Sequence, residues 1–210
     1  LMFTTLLNFC SNELSSFYFD IRKDTIYCDS INSKKRRSAR TLLFIIFNHL
    51  VRWLAPSLVF TCEEAWKAYG NKTSIHLEQF LKVDKVYKND SIAKKWNKIK
   101  DIRRVITGAL EKKRTDKTIG SSLEAHVNIY LSKEMESIVS HVDMSEVAIT
   151  SSSSIITEKK SLSGFNLEDV KDVVIEVEKA QGEKCNRCWK YSINIDKNNI
   201  CNRCSESIEG

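Results

Sequence analysis

E-K-C-N-R-C-W-K-Y-S-I-N-I-D-K-N-N-I-C-N-R-C, residues 183–204, sets thiols at Cys185, Cys188, Cys201 and Cys204. A C-x-x-C pair can place two sulfurs on one metal from a single tight turn, and two such pairs complete the tetrahedral thiolate set that Zn²⁺ prefers. Between the pairs, Trp189 to Ile200 is long enough for a short hairpin, with Asp196, Asn198 and Asn199 as turn residues and Tyr191, Ile193 and Ile195 alternating along it. The stretch therefore predicts a C-terminal four-cysteine zinc ribbon holding one structural zinc. Two disulfides are the competing use of four cysteines. Against them, Cys10, Cys28 and Cys62 stand singly in helical contexts and make the total of seven odd. Four protein ligands leave no open position for water or substrate, so a catalytic metal is not expected.

Around these cysteines the chain is basic and aromatic: Lys184, Arg187, Trp189, Lys190, Tyr191 and Arg203. Four thiolates on one Zn²⁺ carry net negative charge, so one reading has these cations neutralising the cluster or hydrogen-bonding its sulfurs. The other has cations for phosphate and flat rings for stacking, which suits single-stranded or looped RNA. The stretch alone leaves both readings open.

Outward from the cysteines, Val173 to Glu178 predicts a strand, and weaker strands are expected around Val147 to Ile149 and Ser154 to Thr157. The tetrad Ser151 to Ser154 reads as a loop. Glu134 to Val142 predicts a short helix. Leu123, Ala125, Val127, Ile129 and Leu131 alternate with polar residues, the pattern of a half-buried strand. Before it the period becomes helical. Ser91 is the expected N-cap of a long helix burying Ile92, Trp96, Ile99, Ile102, Ile106 and Leu110, and Glu111-Lys112-Lys113-Arg114 gives it a cationic last turn.

Further upstream, Lys72 to Asp90 reads as a long connection. Pro56 suits the first turn of a helix with Leu58, Cys62, Ala65, Trp66 and Tyr69 on one face, stopped by Gly70-Asn71. Ser33 to Arg40 is a basic run at the start of an amphipathic helix carrying Ala39, Leu42, Leu43, Ile46, Leu50 and Leu54 and ending near Ala55. Ser15 to Asp29 has mixed periodicity and reads as a helix end followed by an ordered connection. The first residues are apolar at helical spacing, which reads as the middle of a helix and so as a fragment of a longer protein. Helices with aligned apolar stripes make a bundle, giving a mainly α fold: a helical bundle, a small α/β junction unit and the zinc ribbon.

The chain has 210 residues, 42% hydrophobic and 29% charged, with a net charge of +6 and a sequence pI near 8.9. This basic balance favours a polyanionic partner. No apolar run is both long and charge-free enough to cross a bilayer, since Leu42 to Phe60 is interrupted by Asn48, His49, Arg52 and Pro56, so no membrane partner is expected and the chain reads as cytoplasmic.

Several blocks carry a family resemblance. S-F-Y-F-D-I-R-K-D-T-I-Y (residues 16–27), R-R-S-A-R-T (36–41), H-L-V-R-W-L-A-P (49–56), I-G-S-S-L-E-A (119–125) and V-E-K-A-Q-G-E-K-C-N-R-C-W-K-Y (177–191) resemble, in order and over almost the whole chain, the C-terminal third of bacterial isoleucyl-tRNA synthetases. The resemblance implies a helical anticodon-binding domain at 1–115, an α/β junction at 116–180 and a four-cysteine zinc-binding module at 181–210. It implies a class I aminoacyl-tRNA synthetase that attaches isoleucine to its tRNA and works as a monomer. ATP would be used only in a catalytic domain. The His-x-Gly-His and Lys-Met-Ser-Lys-Ser signatures of that domain do not occur in these residues, and this stretch is expected not to aminoacylate alone.

Its implied task is to hold the anticodon arm. Lys34, Lys35, Arg36, Arg37 and Arg40 are the candidate phosphate contacts, and Lys184, Arg187, Trp189, Lys190 and Tyr191 the candidates near exposed bases. Arg52 is counted with them while standing undecided between RNA and a buried ion pair, and Trp53 reads as core filler. Two alternatives compete: the equivalent region of a valyl- or leucyl-tRNA synthetase, and a zinc-ribbon DNA-binding module like that of certain repair glycosylases. The second explains the cysteines and the charge but leaves the helical blocks unexplained.

Overall fold

The computed structural model of the chain describes residues 1–157 and 163–209. The first elements are α1 (Met2–Asn8), a π-helical stretch (Phe9–Phe19), α2 (Asp20–Cys28), α3 (Lys34–Leu54) and α4 (Val59–Ala68). Single 3₁₀ turns at Ile75–Leu77 and Lys85–Tyr87 lead to α5 (Asp90–Thr115). A third such turn, Ser122–Glu124, precedes β1 (Ala125–Leu131), α6 (Lys133–Val139), α7 (Met144–Ala148), β2 (Ser152–Ile156), β3 (Phe165–Leu167) and β4 (Val170–Lys179). The last described elements are β5 (Glu183–Lys184), β6 (Tyr191–Ser192) and α8 (Asn202–Glu209). The fold is mainly helical, with a helical bundle, a small mixed sheet and a C-terminal cysteine cluster.

These elements form two compact units, one of Leu1–Ser30 with Asp90–Gly210, the other of Ile31–Asn89. α5 falls in the first of these units. Its buried Ile99, Ile102, Val105, Ile106, Ala109 and Leu110 share one apolar cluster with the inward residues of the sheet, so the helix belongs with the strands that follow it.

In that first unit β1 is central, parallel to β2 on one side and antiparallel to β4 on the other, with β3 on the far edge of β4. Alternate residues Ala125, Val127, Ile129 and Leu131 point into the core, as their period of two requires. Gly108 lies where Phe165 packs on α5: a Cβ there would stand 2.6 Å from the ring. α2 is tied to α7 by Glu146, which accepts from Arg22 and Thr25 at 2.8 Å each. The ion pairs Lys100–Glu13 and Arg103–Asp20 join α5 to the π-helical stretch and to α2.

Four expectations about this unit need correction. Ser15 to Asp29 is helical throughout to Cys28, and its mixed periodicity reflects the wider i→i+5 hydrogen bonding of the π-helical stretch. α5 starts at Asp90 and leaves Ile92 exposed. Met144–Ala148 is a helix where a strand was expected, because Asp143 caps it through the amides of Ser145 and Glu146 and Ile149 ends it at φ 58°. Ser152 to Ser154, read as loop, form strand because β1 supplies the hydrogen bonds that low strand propensity does not.

In the second unit α3 packs on α4 and on the Ile75–Leu77 turn around Val51, Ala55, Cys62, Trp66 and Ile75. Ser33 caps α3, accepting from the Arg36 amide at 3.3 Å. Pro56 lies in the turn before α4, not in its first helical turn. Gly70, at φ 101°, ends α4: its amide reaches Lys67 O at 2.9 Å and the Asn71 amide reaches Trp66 O at 3.4 Å, a Schellman stop.

Candidate metal centre and its basic surroundings

β5 and β6 pair antiparallel, Lys184 opposite Tyr191, and their stem carries the first C-x-x-C turn, with Cys185 N on Lys190 O and Trp189 N on Cys185 O, both 2.9 Å. Gly182 makes room for that stem, since a Cβ there would meet Ser192 O at 2.1 Å. The second pair follows a tight turn in which Asp196 Oδ1 accepts from the amides of Asn198 and Ile200 at 2.8 and 3.0 Å and Asn199 adopts φ 59°. Ile195 bridges to Cys201, and α8 then begins, putting Cys204 in its first turn. The Asn186 amide on Asn199 O, 2.9 Å, ties one knuckle to the other.

The four Sγ atoms lie within 4.8 Å of one another, with Cys188 and Cys201 at 3.8 Å. A tetrahedron with metal–sulfur bonds of about 2.3 Å has edges of about 3.8 Å. Disulfide sulfurs stand at about 2.05 Å, and all seven cysteines are free thiols. The donor set thus fits a metal ion in size and kind. Its electrostatics are compatible with one. Burial pushes the Cys188 and Cys201 thiols up, and the charge of neighbouring sulfurs adds to it. Burial also works against Cys185, but hydrogen bonds from the Cys188, Cys201 and Arg187 amides overcome it and bring that thiol down to about 6. Four thiolates at this spacing coexist only around a cation.

Where the neighbouring cations go could not be read from the stretch itself. Arg203 makes a fork on Asp24 of α2 at 2.6 and 2.7 Å and reaches Asp29 at 3.4 Å. Burial opposes ionisation of Asp24, yet Arg203 and Lys190 hold its carboxyl below the usual carboxylate range. Lys190 stands 3.8 Å from Asp24. Arg187 donates to Cys28 O at 2.5 Å and Tyr27 O at 3.2 Å, filling carbonyls at the end of α2 that have no intrahelical partner. Arg187 and Lys190, expected near RNA bases, are therefore held by α2. Lys184 lies over Trp189, Nζ 5.5 Å from the ring centroid, and Tyr191 is half-buried with its amide on Ser151 Oγ at 2.7 Å.

Trp189 is 60% exposed and Tyr27 74%. Both border a cavity of about 320 Å³ that Asp24, Cys28, Ile149 and Lys190 also line. Trp189 sits at φ 65°, a left-handed conformation that costs a non-glycine residue about 1–2 kcal/mol. Cys28 packs against Cys185, Cys188 and Cys204, and burial pushes its thiol up to about 11. Sequence reasoning missed Asp24 and Asp29, because acids in a stretch that reads as a helix end and a connection ordinarily face solvent. The one local signal was the repeated C-N-R-C, which gives both knuckles an arginine at the same place.

The other basic run behaves differently. Lys34, Lys35, Arg37 and Arg40 are exposed and Arg36 is half-buried, at the N-terminal end of a helix with no acid in its first turn. Helix dipole and side chains both leave that end positive. Arg52 is resolved as a buried ion pair, with Glu78 at 2.9 Å, Asn48 O and Oδ1 at 2.9 and 3.0 Å, and the Trp66 ring centroid at 4.6 Å. Trp53 is half-buried against His49, ring centroids 5.2 Å apart.

Residues 1–129 match the family described as the anticodon-binding domain of tRNA ligase. Over 192 residues, 90% of this chain, the sequence is 46% identical to the isoleucine–tRNA ligase of Bartonella henselae and 43% identical to that of Agrobacterium fabrum. The Brucella abortus isoleucine–tRNA ligase is 45% identical over the same length. The match covers 20% of each of these relatives, so the chain spans about a fifth of their length.

Proposed function

The chain belongs to the anticodon-binding domain family of tRNA ligases, and from that premise we propose that it serves as the part of an isoleucine–tRNA ligase that holds the anticodon arm of the isoleucine tRNA. The observation that carries the proposal is the family match over residues 1–129, together with the similarity to isoleucine–tRNA ligases. Neither the valyl or leucyl alternative nor the DNA-binding one is favoured by it. Activation of isoleucine with ATP is proposed for the rest of such a ligase, working in the cytoplasm as a monomer. Among the described residues no helix is long and apolar enough to cross a membrane.

The metal is proposed to be zinc, held by Cys185, Cys188, Cys201 and Cys204. With four sulfur ligands it would contribute folding energy, not a reactive water. Lys34, Lys35, Arg36, Arg37 and Arg40 are proposed phosphate contacts, which the positive end of α3 supports. Trp189, with Lys184 and Tyr191 beside it, is proposed to stack on exposed bases, and the left-handed backbone retained under an exposed indole supports that role.

The test is binding of the zinc-loaded chain, over a range of salt, to isoleucine tRNA, to a transcript with an altered anticodon and to duplex DNA. Preference for the correct anticodon supports the proposal, and equal binding to all three defeats it. Removing the charges of Arg36 and Arg37 should weaken binding to both transcripts alike and flatten the slope of log K on log salt by about 1–2.

A further inference from the structure

Both metal knuckles read C-N-R-C, and both arginines turn to the same place, the last turn of α2. Arg187 takes the carbonyls of Tyr27 and Cys28; Arg203 takes the carboxylates of Asp24 and Asp29. Each arginine directly precedes a cysteine of the metal set, Arg187 before Cys188 and Arg203 before Cys204, so each is joined through the chain to a candidate ligand. Groups that link metal ligands to a neighbouring element in this way fix the geometry of both.

What the last turn of α2 carries gives this a consequence. Asp24, Tyr27 and Cys28 form one wall of the 320 Å³ cavity, and Trp189 and Lys190 form the facing wall. Arg203 is not among the residues that line that cavity, and it hydrogen-bonds the wall through Asp24. A planar fork on two carboxylate oxygens sets orientation as well as distance, which a lysine cannot reproduce.

We propose that Arg203 is a positioning residue: with Asp24 it forms a clamp through which metal occupancy of the four-cysteine centre orders the end of α2 and so sets the spacing between the Tyr27 and Trp189 rings. The metal site thereby does more than hold its own loop. Its consequence for RNA rests on the anticodon-arm reading, while the coupling of metal to helix does not.

The test has two arms, both on the full chain. Amide hydrogen exchange of Thr25 to Asp29 is followed with zinc bound and after removal by EDTA. In the natural sequence chelation should speed exchange there roughly tenfold or more. Arg203→Met, and independently Asp24→Asn, which leaves the cysteine segment untouched, should keep their zinc yet exchange like the chelated protein, with Arg203→Lys in between. Equal protection of these amides with and without zinc overturns the clamp, as does full protection in the zinc-loaded variants.

The second arm measures isoleucine tRNA binding against salt. No binding by the natural sequence would defeat the anticodon-arm reading and leave the exchange result to decide the clamp. Given binding, Arg203→Met should lower affinity roughly tenfold with an unchanged salt slope. A slope lowered by about 1 would make Arg203 a phosphate contact and overturn its positioning role.

Discussion

Two basic runs that look alike in sequence have opposite fates in the fold. Around the cysteines, Arg187, Lys190 and Arg203 are taken up by Asp24, Asp29 and the carbonyls that end α2. At the start of α3, Lys34, Lys35, Arg37 and Arg40 remain exposed, at a helix end whose dipole repels cations. The lesson is that a cluster of positive charge identifies a polyanion site only once internal acceptors have been counted. Most cations of the first run stabilise a joint, whereas most of the second lie exposed, as a phosphate contact requires.

The strongest way to break this contrast is to remove the metal. Cys201→Ser should lose zinc and unfold residues 183–209, because metal binding supplies on the order of 10 kcal/mol to such sites. Metal analysis and amide exchange would check it. The unit of residues 31–89, built around Trp66 and Ile75, should keep its own melting transition. A variant that retains one zinc per chain would refute the assignment of Cys201 as a ligand.

Arg52 sharpens the contrast from the other side, as a cation of the second unit that is internal after all. Arg52→Met leaves Glu78 without its partner and should destabilise that unit by about 3 kcal/mol, read from its denaturant midpoint. RNA affinity at temperatures where the variant is folded should not change.

Trp189→Gly should act with opposite signs on two readouts. Releasing the left-handed strain should slow zinc loss by about 1 kcal/mol, while tRNA binding weakens by roughly 1–3 kcal/mol through lost stacking. Loss of both would make Trp189 a structural residue. The mildest effect is expected at the exposed run, where Arg37→Ala with Arg40→Ala should move stability by no more than about 0.5 kcal/mol in either direction while lowering tRNA affinity.

Acid should separate the same two regions. Hydrogen bonds from Lys67, Ser74 and the Ile75 amide, with the charge of Lys67, outweigh burial and pull the Glu63 carboxyl down to about 2. Its stabilisation is therefore complete above the ordinary value of 4.5 and is lost as the pH falls toward 2. The metal centre should fail at higher pH, since its thiolates must first be protonated for the ion to leave. A pH series of metal content beside the circular dichroism of Glu63→Gln and the natural chain would show whether the two losses separate.

By itself the sequence determined what depends on neighbours along the chain. The spacing of Cys185, Cys188, Cys201 and Cys204 defined a metal centre because two residues between ligands make one turn. The alternation from Ala125 to Leu131 defined a buried strand, and the stripes of α3 and α5 defined helices, because both patterns repeat within a few residues. What only the tertiary structure decided depends on partners far away. Ser152 to Ser154 became strand because β1 lay ready to pair with them, and α5 joined the sheet because its apolar face matched that of the strands. Arg203 found Asp24 across 179 positions. Charge is long-ranged and carries no period, so its partner is chosen by whichever helix the packing of the core brings beside it.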